Sequence, residues 1–511
     1  GGSYGYYNLA AEANLGDSLL HNTIRYQRVV SNGYREHSAM QNDIVSYDML
    51  LHSKGNNELQ AHALAGFLNY ETPGALIPAE YERYPRMARP SVNGIPGAEE
   101  NKAAIKQNMV LGGLSYKYYI NDNWAMNTGI YSVYTQLTNP AIRNYTQSTL
   151  PHYGGRTHLA HKQDTRRGYY SWLLGAEFQL GNSTEITYLN NKGLPGSVTE
   201  QRNIQNINFS GFTQLTWNHR GWLLQSGLSM NHVKTRLEET FPAYALVERT
   251  YNIPAPRVAV LYKIARITSV YASVARGYTS PNSNELAPTG SYINTKLRPV
   301  NGWNYETGLR GYLLNGRLYY DMCGFYFTLD NTIVQRRDSA GGDYYINGGG
   351  TRQLGLEMQV NYRVLVYSGI VNTLTVEAAY TKYDFRYRDF MQFNNDYSGN
   401  YLPGIPANAF AMSVDLLTTF NAYLNLNLYY NDIIPLSDNN SIYDHSYALV
   451  NIRIGYRYMA ARWGIDVFTG CNNLLNENYS LGNDVNAAGN RFYNVAPGIN
   501  YFGGVLLSYK K

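Results

Sequence analysis

The chain has 511 residues, of which 50 are tyrosine and 47 are glycine, and 15% of the residues are charged. No apolar run approaches the roughly 18 residues that a membrane-spanning helix needs, and the mean hydropathy of −0.39 excludes a helical membrane protein. The net charge of +5 is small for this length and gives no argument for a nucleic-acid partner. Such a tyrosine-rich, mildly polar composition is typical of a transmembrane β-barrel, in which half of the strand positions face a wet interior.

Predicted strands recur along the chain, and in several of them apolar and polar residues alternate. Successive side chains of a strand point to opposite faces, so each segment has an apolar face suited to lipid and a polar face suited to a wet or plugged interior. The segments are about 9 to 12 residues long, which favours tilted membrane strands over a soluble β-sandwich. The clearest ones, in chain order, are 356–364, 424–430, 447–458 and 499–509.

The connections between these strands alternate between short and long, as they do at the two ends of a bacterial outer-membrane barrel. Short turns are predicted at 15–18, 54–57, 120–123, 180–183, 218–221, 264–266, 314–316, 367–369, 419–423 and 459–461. The longest predicted loops are 68–106, 136–168, 277–301, 384–407 and 471–498, and one helical turn or two is expected within 77–85.

Ten short turns and ten longer loops connect twenty-one strands. The first connection, at Asp17, is short, so the first and last strands both run toward the periplasm. Bacterial barrels have even strand numbers, and an unpaired seam would expose backbone polar groups to hydrocarbon. The sequence therefore predicts an all-β, large antiparallel transmembrane barrel with 21 strands visible and 22 in the parent protein, one upward strand being absent from the N-terminus.

Motifs for catalysis or metal binding are not found in the sequence. Cys323 and Cys471 lie far apart without metal-ligand spacing and are interpreted as incidental. No signal peptide is visible at the first ten residues, so the chain is expected to be mature or a fragment. We predict no enzymatic activity and no cofactor; a phospholipase or protease within the barrel is a disfavoured alternative.

Several segments resemble the TonB-dependent outer-membrane receptors, most closely those of the ferric-citrate and siderophore type. The segments that carry the resemblance are 32–50, 71–90, 276–288 followed by 297–311, 325–357, 470–480 and the final strand, so that it covers essentially residues 1–511. The receptors also carry an N-terminal plug, a TonB-contacting box and a first barrel strand, none of which precedes Gly1 in this sequence. Their usual terminal aromatic is here Tyr509, which Lys510 and Lys511 follow.

The resemblance implies that residues 1–511 form the barrel domain of a receptor in a Gram-negative outer membrane, surrounded by lipid and lipopolysaccharide. Its implied function is active transport of a ferric chelate, such as ferric citrate or a ferric siderophore, energised by TonB, ExbB and ExbD through the missing plug. Two alternatives stay open at this point. One is a TonB-dependent transporter for haem or another cargo, and the other is a passive pore or surface-binding barrel.

Arginines on the predicted outer loops are the candidate substrate-binding residues, because guanidinium groups bind carboxylates in bidentate geometry. Several of them in one vestibule would hold a polyanionic iron chelate. The candidates are Arg86, Arg89, Arg143, Arg156, Arg336, Arg337 and Arg491. The alternative for any one of them is a pair with an acid such as Glu80 or Glu99, or a contact with lipopolysaccharide phosphate.

Three histidines within the predicted loop 136–168 raise the haem or metal alternative, because imidazole is a good ligand for both. These are His152, His158 and His161. A surface loop without a ligand role is the preferred interpretation, so no metal site is predicted.

Overall fold

The structure, a computed structural model, describes residues 1–53, 57–265, 267–286, 288, 294–337, 343–392 and 394–510. Within these residues it contains 29 strands, two short α-helices and two 3₁₀ turns. None of the helices in the described part of the chain is long and apolar enough to cross a membrane.

The first half of the chain supplies strands β1 to β12 and helix α1. Their bounds are β1 Tyr7–Gly16, β2 Leu20–Ser31, β3 Met40–His52, β4 Glu58–Glu71, α1 Pro78–Arg83, β5 Ala104–Asn121, β6 Trp124–Pro140, β7 Asn144–Thr165, β8 Gly168–Asn191, β9 Leu194–His219, β10 Trp222–Phe241, β11 Ala245–Ala265 and β12 Thr268–Thr279. Helix α1 lies within the segment 77–85 for which a helical turn is predicted.

The second half supplies the remaining strands and helix α2. Their bounds are α2 Ser283–Leu286, β13 Val300–Leu313, β14 Leu318–Asp330, β15 Ile333–Arg337, β16 Asp343–Asn347, β17 Thr351–Ser368, β18 Val371–Tyr387, β19 Met391–Gln392, β20 Asn395–Asp396, β21 Asn408–Thr418, β22 Ala422–Asn431, β23 Ile434–Pro435, β24 Tyr443–Asp444, β25 Tyr447–Ala460, β26 Trp463–Asn472, β27 Ser480–Asn483, β28 Tyr493–Val495 and β29 Asn500–Tyr509. The 3₁₀ turns are Leu314–Gly316 and Ala488–Asn490.

Twenty-one of the described strands form one antiparallel sheet, in which each strand pairs with the next one along the chain. The other eight form four two-stranded hairpins within the long loops: β15–β16, β19–β20, β23–β24 and β27–β28. The sheet closes into a barrel. Its two ends are joined by residues 1–3, which precede β1 and pair with β29: Ser3 donates its N–H to Tyr501 O at 2.9 Å, and Gly503 donates its N–H to Gly1 O at 2.9 Å. The predicted all-β barrel and its 21 visible strands are confirmed, whereas a twenty-second strand stays a prediction.

The outward face of the barrel is apolar and the inward face is polar. Tyr456, Val467 and Val505 are neighbours on three successive strands, and they are 46%, 49% and 63% exposed, which water would oppose and lipid accepts. On the inward face of the same strands, Arg457 binds Asp466 at 3.2 Å. The alternation of apolar and polar residues predicted from the sequence therefore corresponds to side chains that point in turn to the lipid and to the lumen.

Two rows of outward aromatic rings mark the edges of the lipid-facing band. Trp217 and Phe209 on β9, like Tyr509 and Tyr501 on β29, are exposed and lie eight positions apart, or about 26 Å along a strand. Because barrel strands are tilted by about 35 to 45°, this separation projects to about 20 Å across the membrane, somewhat less than the band of about 25 Å between the aromatic girdles of outer-membrane barrels.

The outer connections differ around the barrel. Strands β7 to β11 have 20 to 26 residues. At the loop end they are connected by the short turns 192–193 and 242–244, and the turn 141–143 leads into β7 from β6. Strands β21, β22, β25, β26 and β29 have only 10 to 14 residues and carry the long loops 432–446 and 473–499. We call β7–β11 the tall wall.

Two predicted connections are wrong, and both lie in the tall wall. Of the predicted loop 136–168, only 141–143 is the outer connection, and most of the remainder is strand β7. The predicted turn 180–183 lies inside β8, and the actual turn before β8 is at 166–167. Gly154 and Gly155 suggest a loop, but they sit in the sheet because aromatic rings cover them: an added Cβ would lie 2.4 Å from the Tyr131 ring and 2.7 Å from the Phe178 ring. Of the other predicted turns, residues 54–56 and 266 lie outside the described residues.

Candidate functional site in the outer loops

Three outer connections, 32–39, 72–103 and 473–499, are joined into one unit by side-chain contacts. Arg35, which is 6% exposed, donates from Nη2 to Gly74 O at 2.7 Å and to Met87 O at 2.8 Å. Burial removes water from its guanidinium and lowers the pKa of Arg35 to about 10. A buried cation with carbonyl partners on a neighbouring loop fixes the two loops against each other.

The first and last of the long loops meet at helix α1. Pro78 opens the helix, and Glu80 accepts the Ile77 N–H at 3.2 Å, as a capping residue does. The same carboxylate binds Arg491 in bidentate geometry, with Nη1–Oε2 at 2.7 Å and Nη2–Oε1 at 3.1 Å. The two side chains are 13% and 15% exposed, so this ion pair is largely removed from water.

Apolar and backbone contacts reinforce this junction. Tyr81 stacks on Tyr493 with 4.7 Å between ring centroids and 5° between planes. Leu76 and Tyr493 exchange backbone hydrogen bonds at 2.9 and 3.2 Å, and Leu436 and Phe492 pack around the rings. We call Leu76, Glu80, Tyr81, Arg491 and Tyr493 the loop clasp. Desolvation of its hydroxyl raises the pKa of Tyr81 above the ordinary tyrosine value.

A cavity of about 790 Å³ lies beside the clasp, lined by residues of the loop 72–103, of the turn 141–144 and of the segment 484–491. Arg89, Arg143 and Arg491 line it together with two acids, Glu80 and Asp484. We call it the basic cavity. It brings together three of the seven arginines predicted from the sequence, although they come from three separate connections.

The other four predicted arginines lie elsewhere. Arg86 is exposed, donates its Nε to Tyr34 O at 2.9 Å, and holds its guanidinium 5.4 Å from the Tyr34 ring centroid. Arg336 and Arg337 belong to strand β15, but their side chains lie outside the described residues.

The predicted placement of Arg156 on an outer loop is wrong. It lies on β7, facing the lumen between the two aromatic rows, 3.7 Å from Glu177 and 4.7 Å from the Phe212 ring centroid. The long β7 strand explains the error, because it carries this position far from the loop end.

The three histidines also lie on β7 and not on a loop. His152 and His158 share the inward face but are about 20 Å apart along the strand, and His161 faces outward, 4.4 Å from Trp124 between ring centroids. Across the described residues, no group of three His, Cys, Asp or Glu side chains is placed to hold a metal ion. Imidazoles so far apart and on opposite faces cannot share one ion.

A second cavity, of about 610 Å³, was not predicted from the sequence. It lies between the segments 392–397, 437–442 and 484–492, with Gln335 at one side. Its signal in the sequence is the density of asparagine in these loops: Asn440 and Asn486 adopt φ of 51° and 53°, a conformation that asparagine tolerates better than most residues. We call it the polar cavity.

A family model described as TonB dependent receptor-like, beta-barrel matches residues 6–474. The chain belongs to this family. Membership places the TonB-dependent receptor barrel in the Gram-negative outer membrane and makes it part of a transporter, not an enzyme. The resemblance noted from the sequence is thereby confirmed.

Solved structures show the same fold at low sequence identity. The receptor is similar to the ferric citrate transporter FecA in its unliganded form, with a TM-score of 0.81, 16% identity, and coverage of 99% of this chain and 76% of that one. It is also similar to the ferric-catecholate import receptor Fiu from K12 E. coli, with a TM-score of 0.79, 14% identity and coverage of 100% and 80%. A third similar structure is the ferric yersiniabactin uptake receptor FyuA from Yersinia pestis, with a TM-score of 0.78, 16% identity, and coverage of 99% of this chain and 78% of that one.

Proposed function

We propose that this receptor imports a ferric chelate that carries several carboxylates, such as ferric citrate. The observation that supports the proposal is the convergence of Arg89, Arg143 and Arg491 on one cavity at the loop end of the barrel. Its volume lies in the range of small-molecule sites, roughly 300 to 1,000 Å³. Arginine forks pair with carboxylates in two parallel hydrogen bonds, which gives both affinity and orientation.

The roles of the three arginines differ in this proposal. The fork of Arg491 already binds Glu80, so we assign Arg491 to positioning the cavity wall. Arg89 and Arg143 line the same cavity from the loop 72–103 and the turn 141–144, and we assign both to the carboxylates of the chelate. Glu80 and Asp484 then limit the net positive charge of the cavity, so that a chelate is held without being trapped.

Energy for import comes, in this proposal, from TonB with ExbB and ExbD acting through a plug. Family membership supports this part, as does the polar inward face, since a wide polar lumen needs a gate to be selective. In the same proposal, residues 1–511 are the barrel domain to which the plug belongs. A chelate bound in the outer loops passes into the lumen when TonB acts on the plug.

Titration of ferric citrate and of haem against the purified receptor tests the cargo. We expect ferric citrate to bind, and R89Q and R143Q each to weaken that binding about tenfold or more, as loss of a charge-assisted hydrogen bond predicts. Arg236, which lies near Glu238 on the tall wall, provides the matched control R236Q. Failure of both ligands to bind the wild type, or equal effects of R236Q and R89Q, contradicts the proposal.

A further inference from the structure

Tryptophans are concentrated on one side of the barrel, at the periplasmic end, which is the end opposite the outer loops. The chain has six tryptophans, and four of them lie on the strands β6, β8, β9 and β10. These four are Trp124, Trp172, Trp217 and Trp222. The other two lie on β13 and β26, so the distribution around the barrel is uneven.

These side chains form one surface that faces the lipid. Trp124 and Trp172 are both in register with the outward-facing His161, and the ring centroid of Trp124 lies 4.4 Å from that of His161 and 6.3 Å from that of Trp172. Tyr170, 5.9 Å from His161 between centroids, is in register with the outward-facing Trp217 and so joins the two groups. We call Trp124, His161, Tyr170, Trp172, Trp217 and Trp222 the tryptophan patch.

The indole N–H groups of the tryptophan patch differ in their partners. Trp172 donates its Nε1–H to Thr213 Oγ1 at 2.8 Å. The indole N–H groups of Trp124, Trp217 and Trp222 donate to no other side chain or backbone group in the part of the chain that the structure describes, and Trp217 and Trp222 are 45% and 44% exposed. Indoles at a membrane interface keep their rings in the apolar layer and direct the N–H toward the polar head groups.

Three arginines follow the tryptophan patch toward the periplasm. Arg166 and Arg167 form the turn between β7 and β8, and Arg220 lies in the turn between β9 and β10. The two turns are adjacent, because Arg220 donates its N–H to Arg167 O at 3.2 Å. All three side chains are exposed, and none of them forms an ion pair with a described acid. Asp164, the acid nearest to this turn in the sequence, binds Lys162 at 3.2 Å instead.

Other periplasmic turns carry single arginines. Arg317 lies in the turn between β13 and β14, and Arg462 lies in the turn between β25 and β26. Both are exposed. Arg462 precedes an outward tryptophan, Trp463, but no second arginine accompanies it in that turn. These two positions therefore allow the same charge to be removed at the same end of the barrel, away from the tryptophan patch.

We propose that the tryptophan patch and its three arginines bind an anionic glycerophospholipid of the periplasmic leaflet, such as phosphatidylglycerol or cardiolipin. The outward rings contact the acyl chains, the indole N–H groups donate to the ester and phosphate oxygens, and the guanidinium groups bind the phosphate. The ammonium group of phosphatidylethanolamine would be repelled by the arginines, which selects against it. The proposal concerns the outer wall of the barrel and does not depend on the cargo.

The experiment measures how phospholipids with brominated acyl chains quench the tryptophan fluorescence of the full receptor in bilayers. Four of the six tryptophans lie in the patch, so quenching reports mainly on lipid bound there. We expect brominated phosphatidylglycerol and cardiolipin to bind at least fivefold more tightly than brominated phosphatidylethanolamine, since one arginine near an anionic lipid surface contributes about fivefold. Excess inorganic phosphate should not displace them, because it has no acyl chains to fill the apolar part of the surface.

The double variant R166Q/R167Q tests the arginines, and R317Q/R462Q is its matched control. We expect R166Q/R167Q to reduce the preference for the anionic lipids to about twofold or less, and R317Q/R462Q to retain it. The mobility of the unheated barrel on gels checks that both variants fold. Equal quenching by all the lipids, or an equal loss of preference in both double variants, overturns the proposal. Displacement by inorganic phosphate would show an adventitious anion only and overturns the assignment to a lipid.

The variant W217F tests the indole N–H on its own. It keeps an aromatic ring and removes the donor, so we expect the receptor to retain about threefold less phosphatidylglycerol, as loss of one hydrogen bond predicts. Mass spectrometry of the intact receptor counts the retained lipid without relying on fluorescence. The control is W463F, at an outward tryptophan that is 55% exposed. Equal retention in the two variants contradicts the role assigned to the Trp217 indole.

Discussion

The tall wall and the loops around the loop clasp both form the outer end of the barrel, but the first is held by backbone hydrogen bonds and the second by side-chain contacts. In the tall wall, β7 to β11 extend the hydrogen-bonded ladder outward and close in turns of two or three residues. On the opposite side, short strands end in long loops held by side chains, such as Glu80 with Arg491 and Tyr387 with Asp438. Backbone hydrogen bonds between strands hold the chain with little dependence on which side chains are present. Loops held by side-chain contacts depend on the identity of individual residues. The polar cavity lies where side chains hold the structure, and the basic cavity lies between such loops and the turn 141–144 at the edge of the tall wall.

Breaking the loop clasp should have the largest effect on ligand binding. Removing one partner of a largely buried ion pair leaves the other charge uncompensated, at a cost of about 3 to 5 kcal/mol. We expect E80Q and R491Q each to loosen the loop 72–103, to expose it to protease, and to lower ferric citrate affinity at least tenfold. Dissociation constants and rates of limited proteolysis are the measurements.

The double variant E80Q/R491Q sharpens this test. If the pair positions the cavity, the double variant loosens the loops less than either single variant does, because it leaves no uncompensated charge behind. If instead Arg491 touches the chelate and Glu80 competes with it, E80Q strengthens binding while R491Q abolishes it. That outcome would assign Arg491 to the ligand and end its role as a positioning residue.

The tall wall should respond to a different change, the addition of a methyl group at Gly154. The added Cβ would lie 2.4 Å from the Tyr131 ring, and overpacking of this kind costs about 1 to 3 kcal/mol. We expect G154A to lower the unfolding temperature of the barrel and to leave ferric citrate affinity unchanged. The control is G112A on β5, where no atom lies within 4 Å of the added Cβ. Equal destabilisation by both variants would contradict the packing argument.

Gly154 also shows where sequence reasoning works for this fold and where it does not. Alternation in segments such as 447–458 predicts strands and their lipid faces correctly, because the pattern depends only on side-chain direction. Glycines and a proline make β7 look like a loop, since the rings that cover Gly154 and Gly155 belong to neighbouring strands and are invisible in the local sequence. Tertiary contacts override the local preference there.

The candidate site is harder to predict for a related reason. The sequence predicts arginines at the loop end, yet the meeting of Arg89, Arg143 and Arg491 depends on closure of the barrel, which brings the first and last long loops together. Composition cannot distinguish these three from Arg156, which faces the lumen. The polar cavity has no motif at all beyond asparagine-rich loops, because its lining is assembled from three loops.

Ionic strength should test whether charge holds the ligand in the basic cavity. Salt screens charges over about 10 Å at 0.1 M and about 3 Å at 1 M, so arginine–carboxylate attraction in the basic cavity weakens as salt rises. We expect ferric citrate affinity to fall several-fold between 0.05 and 0.5 M sodium chloride. Titrations of ferric citrate across this range measure the effect. An affinity that does not change with salt would contradict the assignment of arginine–carboxylate pairs to the basic cavity.

The smallest expected effect lies at helix α2, in a loop that lies beside the tall wall. Leu286 is buried there, and desolvation raises the pKa of the neighbouring Glu285 above its ordinary value. Between the ordinary and the raised pKa the folded loop binds more protons than the unfolded loop, so its stability falls as pH rises through this window. Hydrogen exchange at residues 283–286 should therefore show more protection toward the ordinary glutamate pKa than at neutral pH. In E285Q the protection should not depend on pH; if it does, another group is responsible. The loop that carries α2 contacts the tall wall further along, where the Tyr251 hydroxyl donates to Leu297 O at 3.2 Å. This measurement therefore asks how firmly the loops are held where the two regions meet.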